Sequence, residues 1–419
     1  MNARTDYVSS TSSRARLAVW LLAAGQTIIW AGLFYSFAAL LLTWEDTLGW
    51  PMTSIALGLT TAVLIAALLS PVAGHIIDTG RGRALMTGGA LLGAGCLALL
   101  SIADSQVMFV SLWAVIGVAQ AACLYEPCFA FVTRVLGRSA RGAITRVTLV
   151  AGFASSIAFP AGAYLADTFG WRSAVVVFAA GVALVGAPLT FAGASILAGR
   201  RPVETAMEQG QQSRAAVQAA LQQPAFWLLA VAFPMIGLNH GLLLTHIVPI
   251  LVDRGLTQTL AVTVASVIGP MQVAGRLALL RVEHRIGAMT MTLVCFGGIT
   301  LAALLLIFAG ATPLLAFAFA GLQGAAYGLT NILKPVVTAE TLGHTGFGSI
   351  SGLLAMPYLA CFAIAPFAGA WLWQIGGYDL AISAAAMMAF LGLVAITLLA
   401  ALDRRGALAQ REAVRRRAA

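Results

Sequence analysis

Three ionisable side chains interrupt long apolar runs of the sequence, namely Glu126, Arg276 and Lys334. On insertion scales, a charge at the centre of a membrane span costs roughly 2.5–3.5 kcal/mol, so each of them should face a protein interior. Glu126 is followed by Pro127, which removes one backbone donor and bends a helix. We expect Glu126 to take up and release protons; the alternative is a structural pair with a donor on another helix.

The two basic residues point to an anion. Arg276 carries a planar guanidinium, which binds a carboxylate through two parallel hydrogen bonds. We expect it to bind an anionic ligand, and a salt bridge at the end of its helix is the alternative. Lys334 ends a polar stripe whose spacings of four, four and three residues put its members on one helix face. The stripe, which we expect to line a water-filled path, consists of Gln323, Tyr327, Asn331 and Lys334. The alternative for Lys334 is a gate or an anchor to lipid headgroups.

Further polar candidates lie near the middle of two other apolar runs. Asn239 and His240 are neighbours in one run, and a histidine can titrate at physiological pH. His246 lies nearer the end of the same run, where a hydrogen bond between helices is the simpler expectation. Gln26 and Tyr35, in the first run, are expected to line the opposite wall of the same path.

These residues must be positioned by membrane-spanning helices. The chain has 419 residues, of which 60% are hydrophobic and 9% are charged. A soluble domain typically has about 25% charged residues, and one span needs roughly 20 apolar residues. The pattern predicts an all-α integral membrane protein with twelve transmembrane helices, at residues 17–42, 53–77, 84–103, 107–133, 147–166, 173–198, 225–252, 258–280, 287–309, 312–337, 348–373 and 378–402.

The twelve runs form two repeats at an offset of about 206 residues. Ala18-Val19-Trp20-Leu21-Leu22 recurs as Ala225-Phe226-Trp227-Leu228-Leu229, and Gly49 falls on Gly255. Such a duplication is typical of secondary transporters, which bind their substrate at the interface between repeats. We therefore expect a six-helix half at 1–198, a cytoplasmic linker at 199–223, a second half at 224–403 and a basic tail at 404–419. Within the linker, a short surface helix is expected over Ser213 to Leu221.

The distribution of charge gives the orientation. Of the 24 basic residues, 20 fall at the termini or in the loops after the even-numbered helices of each half, which predicts that both termini are cytoplasmic in a bacterial inner membrane. Arg415, Arg416 and Arg417 are expected near anionic headgroups. The net charge of +9 therefore does not indicate nucleic acid. No nucleotide-binding motif is present, so we expect transport that is either driven by an ion gradient or passive, with no cofactor and no metal ion.

One loop carries a motif. Gly74-His75-Ile76-Ile77-Asp78 is followed by Thr79-Gly80-Arg81-Gly82-Arg83 between the second and third helices. Glycine allows a tight turn, and Asp78 can pair with an arginine and with the amides at a helix N-terminus. We expect Gly74, Asp78, Arg81 and Arg83 to form a gate on the cytoplasmic side, and a loop that only sets topology is the alternative. In the second repeat His284 replaces the aspartate, so no gate is expected there.

This loop resembles the signature of the major facilitator superfamily, although it is one residue longer than the usual form. Loop and helix-end motifs along the chain further resemble bacterial relatives of the monocarboxylate and oxalate/formate transporters: Gly49-Trp50-Pro51, Gly170-Trp171-Arg172, Pro224-Ala225-Phe226-Trp227, His246-Ile247-Val248-Pro249, Asp253-Arg254-Gly255 and Gly346-Phe347-Gly348. The resemblance implies a twelve-helix bundle that works by alternating access. It also implies that Arg276 contacts a substrate carboxylate, although the acid found four residues earlier in animal members is Gln272 here.

Taken together, these residues predict a monomeric secondary transporter that moves a small organic anion, of the monocarboxylate class, in symport with protons. The expected substrate ligands are Arg276, Asn239, His240, Tyr327, Asn331, Lys334, Gln26 and Tyr35, and Glu126 is the expected proton carrier. The alternative is efflux of amphipathic drug-like compounds or metabolites by proton antiport, with Glu126 as the cation site. A membrane sensor built on a transporter fold is a second alternative, and an enzyme is not expected.

Overall fold

The structure is a computed structural model, which describes residues 13–199, 206–282, 285–310 and 312–418, and these residues are almost entirely helical. The first repeat contains α1 (Ser13–Trp30), α2 (Ser36–Leu48), α3 (Met52–Ile76), α4 (Gly82–Leu100), α5 (Gln106–Cys123), α6 (Tyr125–Leu136), α7 (Ala140–Ala151), α8 (Ala154–Phe169), α9 (Trp171–Gly181) and α10 (Ala187–Ala198). The linker contains α11 (Ala206–Leu221). The second repeat contains α12 (Pro224–Asp253), α13 (Gln258–Val282), α14 (Ala288–Ile307), α15 (Pro313–Leu342) and α16 (Phe347–Ala418).

Within the described residues, nine helical stretches are long and apolar enough to cross a membrane. Two of them, Met52–Leu100 and Phe347–Arg404, each contain two helices, because Gly80 and Gly377 adopt left-handed backbone angles (φ 88° and 68°) that end a helix. Helix α15 is not among the nine, and the polar stripe along it lowers its hydropathy. The predicted all-α membrane fold is confirmed, and the arrangement is consistent with twelve spans.

Several spans are interrupted where the sequence disturbs backbone hydrogen bonding. Leu124 is extended (φ −79°, ψ −157°) and separates α5 from α6, three residues before Pro127. A π-helical segment at Ala31–Tyr35 joins α1 to α2, and another at Val182–Gly186 joins α9 to α10. Such segments in a long helix are common near functional positions.

The described residues form two compact units. Unit 1 contains the chain up to Val217 together with His344–Leu359, and unit 2 contains Gln218–Gly343 and the chain from Ala360 onward. The core of unit 1 is aromatic, with Trp44 at 5.1 Å from Phe109 and Phe37 at 4.8 Å from Trp113, as measured between ring centroids. The core of unit 2 is mainly aliphatic.

Glycines bring helices into backbone contact inside each unit. In unit 1, a Cβ atom on Gly117 of α5 would lie 2.8 Å from the Cα atom of Ala62 on α3. In unit 2, a Cβ atom on Gly328 of α15 would lie 2.6 Å from the carbonyl oxygen of Gln272 on α13. Real Cβ atoms do not approach so closely, so only glycine allows these helices to pack at this distance.

The predicted linker helix is confirmed and begins earlier than expected, at Ala206. Pro224 follows as the first residue of α12, where a missing backbone donor costs nothing. The predicted loss of the motif at His284 and the predicted headgroup contacts of the C-terminal arginines lie outside the described residues and side chains.

Candidate functional site

A buried polar network in unit 2 joins α12, α15 and α16. The side-chain amide of Asn239 donates to the carbonyl oxygen of Ala385 at 2.9 Å, and its own oxygen accepts from Gln323 Nε2 at 3.1 Å. The same Gln323 nitrogen lies 3.4 Å from His240 Nδ1. His240 stacks on Tyr327, with 3.3 Å between ring centroids and an interplanar angle of 11°.

All four side chains are buried, and Asn239 has no exposed surface. Burying an amide without hydrogen bonds costs about 1–3 kcal/mol in proteins, so the network has to be satisfied from within. One acceptor is not satisfied, since Gln323 Oε1 has no hydrogen-bond partner. The network therefore retains an unused acceptor beside the stacked rings.

Arg276 and Lys334 are also buried in unit 2, at 5% and 6% exposure. Arg276 Nε donates to the carbonyl oxygen of Gly328 at 3.0 Å, across the glycine contact between α13 and α15. Asn331, one turn before Lys334 on α15, is half-buried. The stripe predicted on α15 thus lies on the side of the helix that is buried in unit 2, and its role as the lining of a path stays a prediction.

In unit 1, the break between α5 and α6 is stabilised by Gln26. Pro127 has no N–H group, so the carbonyl oxygen of Cys123 lacks its usual donor four residues later. Gln26 Nε2 on α1 supplies that donor at 2.7 Å. Gln26 has no exposed surface, so the structure places it as a helix cross-link, and its predicted contact with substrate stays a prediction.

A second glutamine makes the reciprocal bond. Gln120 Nε2 on α5 donates to the carbonyl oxygen of Leu33 at 2.7 Å, inside the π-helical segment that follows α1. Each of the two helical irregularities is therefore satisfied by an amide from the other helix. The two bonds together hold α1 and α5 against each other at their irregular ends.

Glu126 is half-buried in the first turn of α6, where the positive end of the helix favours a carboxylate. Its neighbour Tyr125 lies 4.5 Å from Trp30 and stacks on Phe129 at 4.9 Å, between ring centroids. Tyr35 lies 6.1 Å from Trp30 on the same basis. The residue before Glu126 therefore belongs to an aromatic cluster in unit 1, in which the indole N–H of Trp30 has no hydrogen-bond partner.

Asp78 is buried in unit 1, at 5% exposure, and accepts hydrogen bonds from two other segments. Its Oδ1 accepts from Gly348 N at 2.9 Å. Its Oδ2 accepts from Ser349 N and Ser349 Oγ, each at 2.8 Å, and from Ser213 Oγ at 2.9 Å. We call this group of Asp78, Ser213, Gly348 and Ser349 the Asp78 junction.

The junction holds an aspartate at the N-terminus of α16, where unpaired amides and the helix dipole favour negative charge. The amide contact expected for Asp78 is therefore present. An arginine partner is not: among the described residues, the hydrogen-bond donors to Asp78 belong to Ser213, Gly348 and Ser349. Arg81 is exposed, and Arg83 points instead to Ser195 Oγ at 3.4 Å and to the ring of Phe191.

Gly74 does not make the turn between α3 and α4, and its membership of the gate stays a prediction. The turn between α3 and α4 is made by Gly80, whereas Gly74 lies inside α3 against the start of α16. A Cβ atom on Gly74 would lie 3.0 Å from Ser349 N and still closer to the carbonyl of Gly348. One turn along each helix, a Cβ atom on Gly352 would lie 2.8 Å from the Cα atom of Pro71.

The sequence did not indicate Ser213, Ser349 or Gln120 as functional residues. Gly346-Phe347-Gly348 is visible in the sequence as the start of a helix, and a helix start can be the partner of an aspartate. His246 fulfils the simpler expectation, since its Nε2 lies 3.0 Å from the carbonyl oxygen of Pro366 on α16.

Comparisons with known proteins agree with this architecture. The family model described as Major Facilitator Superfamily matches residues 22–356. A solved structure described as a Major Facilitator Superfamily transporter, FucP, in the outward conformation is similar with a TM-score of 0.66 and 15% identity, over 92% of this chain and 99% of that chain. At this identity the likeness concerns the fold. Among curated proteins, none matches the chain in sequence.

Proposed function

Since the chain belongs to the Major Facilitator Superfamily, whose members are secondary transporters that work by alternating access, we propose that it carries a small organic anion of the monocarboxylate class together with protons. Members of the family are transporters and not enzymes, and this chain is accordingly a multi-pass membrane protein. The charge pattern predicts cytoplasmic termini, and a location in the bacterial inner membrane and a monomeric state complete the proposal.

The sign of the buried charge in unit 2 carries this proposal. In the part of unit 2 that the structure describes, the buried aspartate, glutamate, lysine and arginine side chains are Arg276 and Lys334, and both are cationic. Two buried positive charges create a local potential that attracts an anion and repels a cation. A substrate carboxylate therefore binds more favourably in unit 2 than a cation does.

The polar network of unit 2 orients the proposed substrate. Asn239, Gln323 and His240 present amide and imidazole groups that hydrogen-bond a carboxylate or a hydroxyl, and Tyr327 presents both a ring face and a hydroxyl. We assign Asn331 and Lys334 to the same set because they continue the face of α15 that carries Gln323 and Tyr327.

Glu126 is the proposed proton carrier. It is half-buried at an interrupted helix, and irregular backbone inside a membrane protein is tolerated only where it is enclosed by protein or lines a cavity. Tyr35 lies 6.1 Å from Trp30, between ring centroids, and, with Gln26, is proposed to contact the substrate once the α5–α6 break rearranges.

Counterflow in proteoliposomes tests the substrate class. Vesicles loaded with unlabelled acetate, lactate or oxalate are assayed for accumulation of the labelled compound. Arg276→Lys keeps the charge but removes the planar fork, and we expect it to lower accumulation at least tenfold. Arg281→Lys, an exposed position near the end of the same helix, is the matched control and should stay within twofold of the wild type. Equal rates for the two variants would show that Arg276 does not bind the anion.

Proton coupling is tested separately. We expect Glu126→Gln to abolish uptake driven by a pH gradient and to leave counterflow without a gradient nearly intact, because exchange requires no net proton movement. If the Gln variant keeps its response to the pH gradient, Glu126 is not the coupling residue.

The surroundings of Glu126 favour one alternative function, the efflux of amphipathic cations by proton antiport. Glu126 directly follows Tyr125, whose ring lies 4.5 Å from that of Trp30, and aromatic faces together with a negative charge are used to bind organic cations. Energised loss of a lipophilic cation from loaded vesicles, combined with no counterflow of any carboxylate, would favour this alternative over anion symport.

A further inference from the structure

The linker helix contributes directly to the Asp78 junction. Ser213 lies in the middle of α11, and its hydroxyl is 2.9 Å from Asp78 Oδ2 and 2.9 Å from Ser349 Oγ. Ser213 is 2% exposed, although its neighbours Gln212 and Arg214 are exposed. One buried hydroxyl on an otherwise solvated stretch of helix indicates a specific contact.

The backbone of α11 is packed at the same place. Gly346, which adopts a left-handed backbone angle (φ 62°) just before α16, lies against this helix. A Cβ atom at Gly346 would lie 3.1 Å from Ser213 Cα and 3.0 Å from Ala216 Cβ. On the other side of the junction, Gly210 approaches Thr79, the residue after Asp78. The linker helix therefore contacts both the end of α3 and the start of α16.

The number of hydroxyl protons in the Asp78 junction shows what Ser213 contributes to it. Three oxygens, Asp78 Oδ2, Ser213 Oγ and Ser349 Oγ, lie within 2.8–2.9 Å of one another, but only the two hydroxyls carry protons. At any moment, two of the three contacts are hydrogen bonds. Without Ser213 the carboxylate keeps its two backbone amides and the Ser349 hydroxyl, and it loses the one donor that comes from neither α16 nor its own helix.

We propose that Ser213 is a positioning residue of the gate. Its hydroxyl binds α11 to the closed Asp78 junction through a hydrogen bond, and α11 has to move away from Asp78 before α3 and α16 can separate. The proposal rests on the alternating-access function, in which this contact opens and closes. It gives the linker a mechanical role beyond that of a tether between the two repeats.

The test uses the full-length protein in membrane vesicles without substrate, so that failure to identify the substrate does not affect it. Ser70→Cys places a thiol on α3, beside Gly352 and at a position with 3% exposure, where it reacts with a membrane-impermeant maleimide only after the junction opens. Ser213→Asp puts a second carboxylate beside Asp78, and like charges at this distance repel. We expect the introduced thiol to be labelled at least ten times faster in the Ser213→Asp protein.

Gln212→Asp is the matched control, because it adds the same charge one residue away on the exposed side of α11. It should label within twofold of the Ser70→Cys parent. Equal labelling of the Ser213→Asp and Gln212→Asp proteins would overturn the proposal.

If the Ser213→Asp protein does not reach the membrane, Ser213→Ala tests the proposal instead. The carboxylate loses one hydroxyl donor, and the Ser349 hydroxyl recovers part of that loss, so labelling should rise about threefold. In an Asp78→Asn background the same substitution should have a smaller effect, because the charged acceptor is gone. An Ala variant that labels at the parent rate, or an equal effect in both backgrounds, would show that Ser213 does not act through Asp78.

Discussion

Substitution of Gly74 by alanine should open the Asp78 junction without touching any charged group. The new Cβ atom would lie 3.0 Å from Ser349 N and closer still to the carbonyl of Gly348, and these neighbours are backbone atoms that cannot rotate away. The start of α16 therefore has to move by roughly 1 Å to restore an ordinary contact distance.

This displacement removes hydrogen bonds that can be counted. Asp78 accepts three bonds of 2.8–2.9 Å from Gly348 and Ser349, and an added shift of about 1 Å takes each beyond hydrogen-bonding distance. A bond to a charged group contributes about 1.5–3 kcal/mol, and water replaces part of it once the junction is open. A net loss of only about 1.4 kcal/mol raises the ratio of open to closed protein tenfold.

Maleimide labelling of Ser70→Cys measures that ratio, as described above for the linker helix. We expect Gly74→Ala to label at least ten times faster than the parent protein. Gly88→Ala is the matched control, because it lies on the adjacent helix α4 and a Cβ atom there meets nothing within 4 Å. If Gly74→Ala labels no faster than Gly88→Ala, the close approach of α3 and α16 does not hold the junction closed, and the reasoning is refuted.

Other predictions concern stability in detergent, measured as the midpoint of thermal unfolding. Gln26→Met should destabilise the protein by about 1–3 kcal/mol because it leaves the buried carbonyl of Cys123 unsatisfied. The loss should be smaller in a Pro127→Ala background, where a backbone N–H replaces the amide of Gln26. An unchanged loss would contradict this account. Gly328→Ala should destabilise the protein by about 1–3 kcal/mol through overpacking against α13. Gly321→Ala, where a Cβ atom on the same helix meets nothing within 4 Å, should be neutral or stabilising. Equal unfolding midpoints for the two variants would refute the packing argument. Arg172→Gln should change stability by at most about 1 kcal/mol, because its 3.1 Å ion pair is solvent-exposed, and a larger loss would show that the pair contributes more than exposed pairs do.

The helical fold could be predicted from the sequence because each span is encoded locally. About 20 consecutive apolar residues specify one crossing, and the basic residues of the loops give a predicted orientation. The interruption at Leu124 was harder to predict from the sequence, although Pro127 indicated a disturbed helix. A proline shows that a carbonyl loses its donor, but the identity of the new donor, Gln26, depends on how α1 packs against α5 and α6.

The Asp78 junction shows more clearly what could not be predicted from the sequence. The aspartate, the glycines before it and the start of the eleventh span are all visible in the sequence, but Asp78 and Ser349 are separated by 271 positions. No periodicity relates residues at such a distance. The expected arginine partner was a reasonable choice on charge alone, yet two backbone amides and two hydroxyls satisfy the carboxylate instead.

The repeat explains why unit 2 is the better candidate for binding substrate. At the offset of about 206 residues that relates the two repeats, Leu33 corresponds to Asn239, and in both units a glutamine of the fourth helix of the repeat donates to this position. In unit 1 the acceptor is the backbone carbonyl of Leu33, which a substrate cannot displace without disturbing the helix. In unit 2 the acceptor is the side-chain oxygen of Asn239, which can change its partner without a change in the backbone, and Gln323 keeps an unused oxygen. The duplication has thus kept one cross-link as scaffold and converted the other into a set of side chains that can exchange their partners for a ligand.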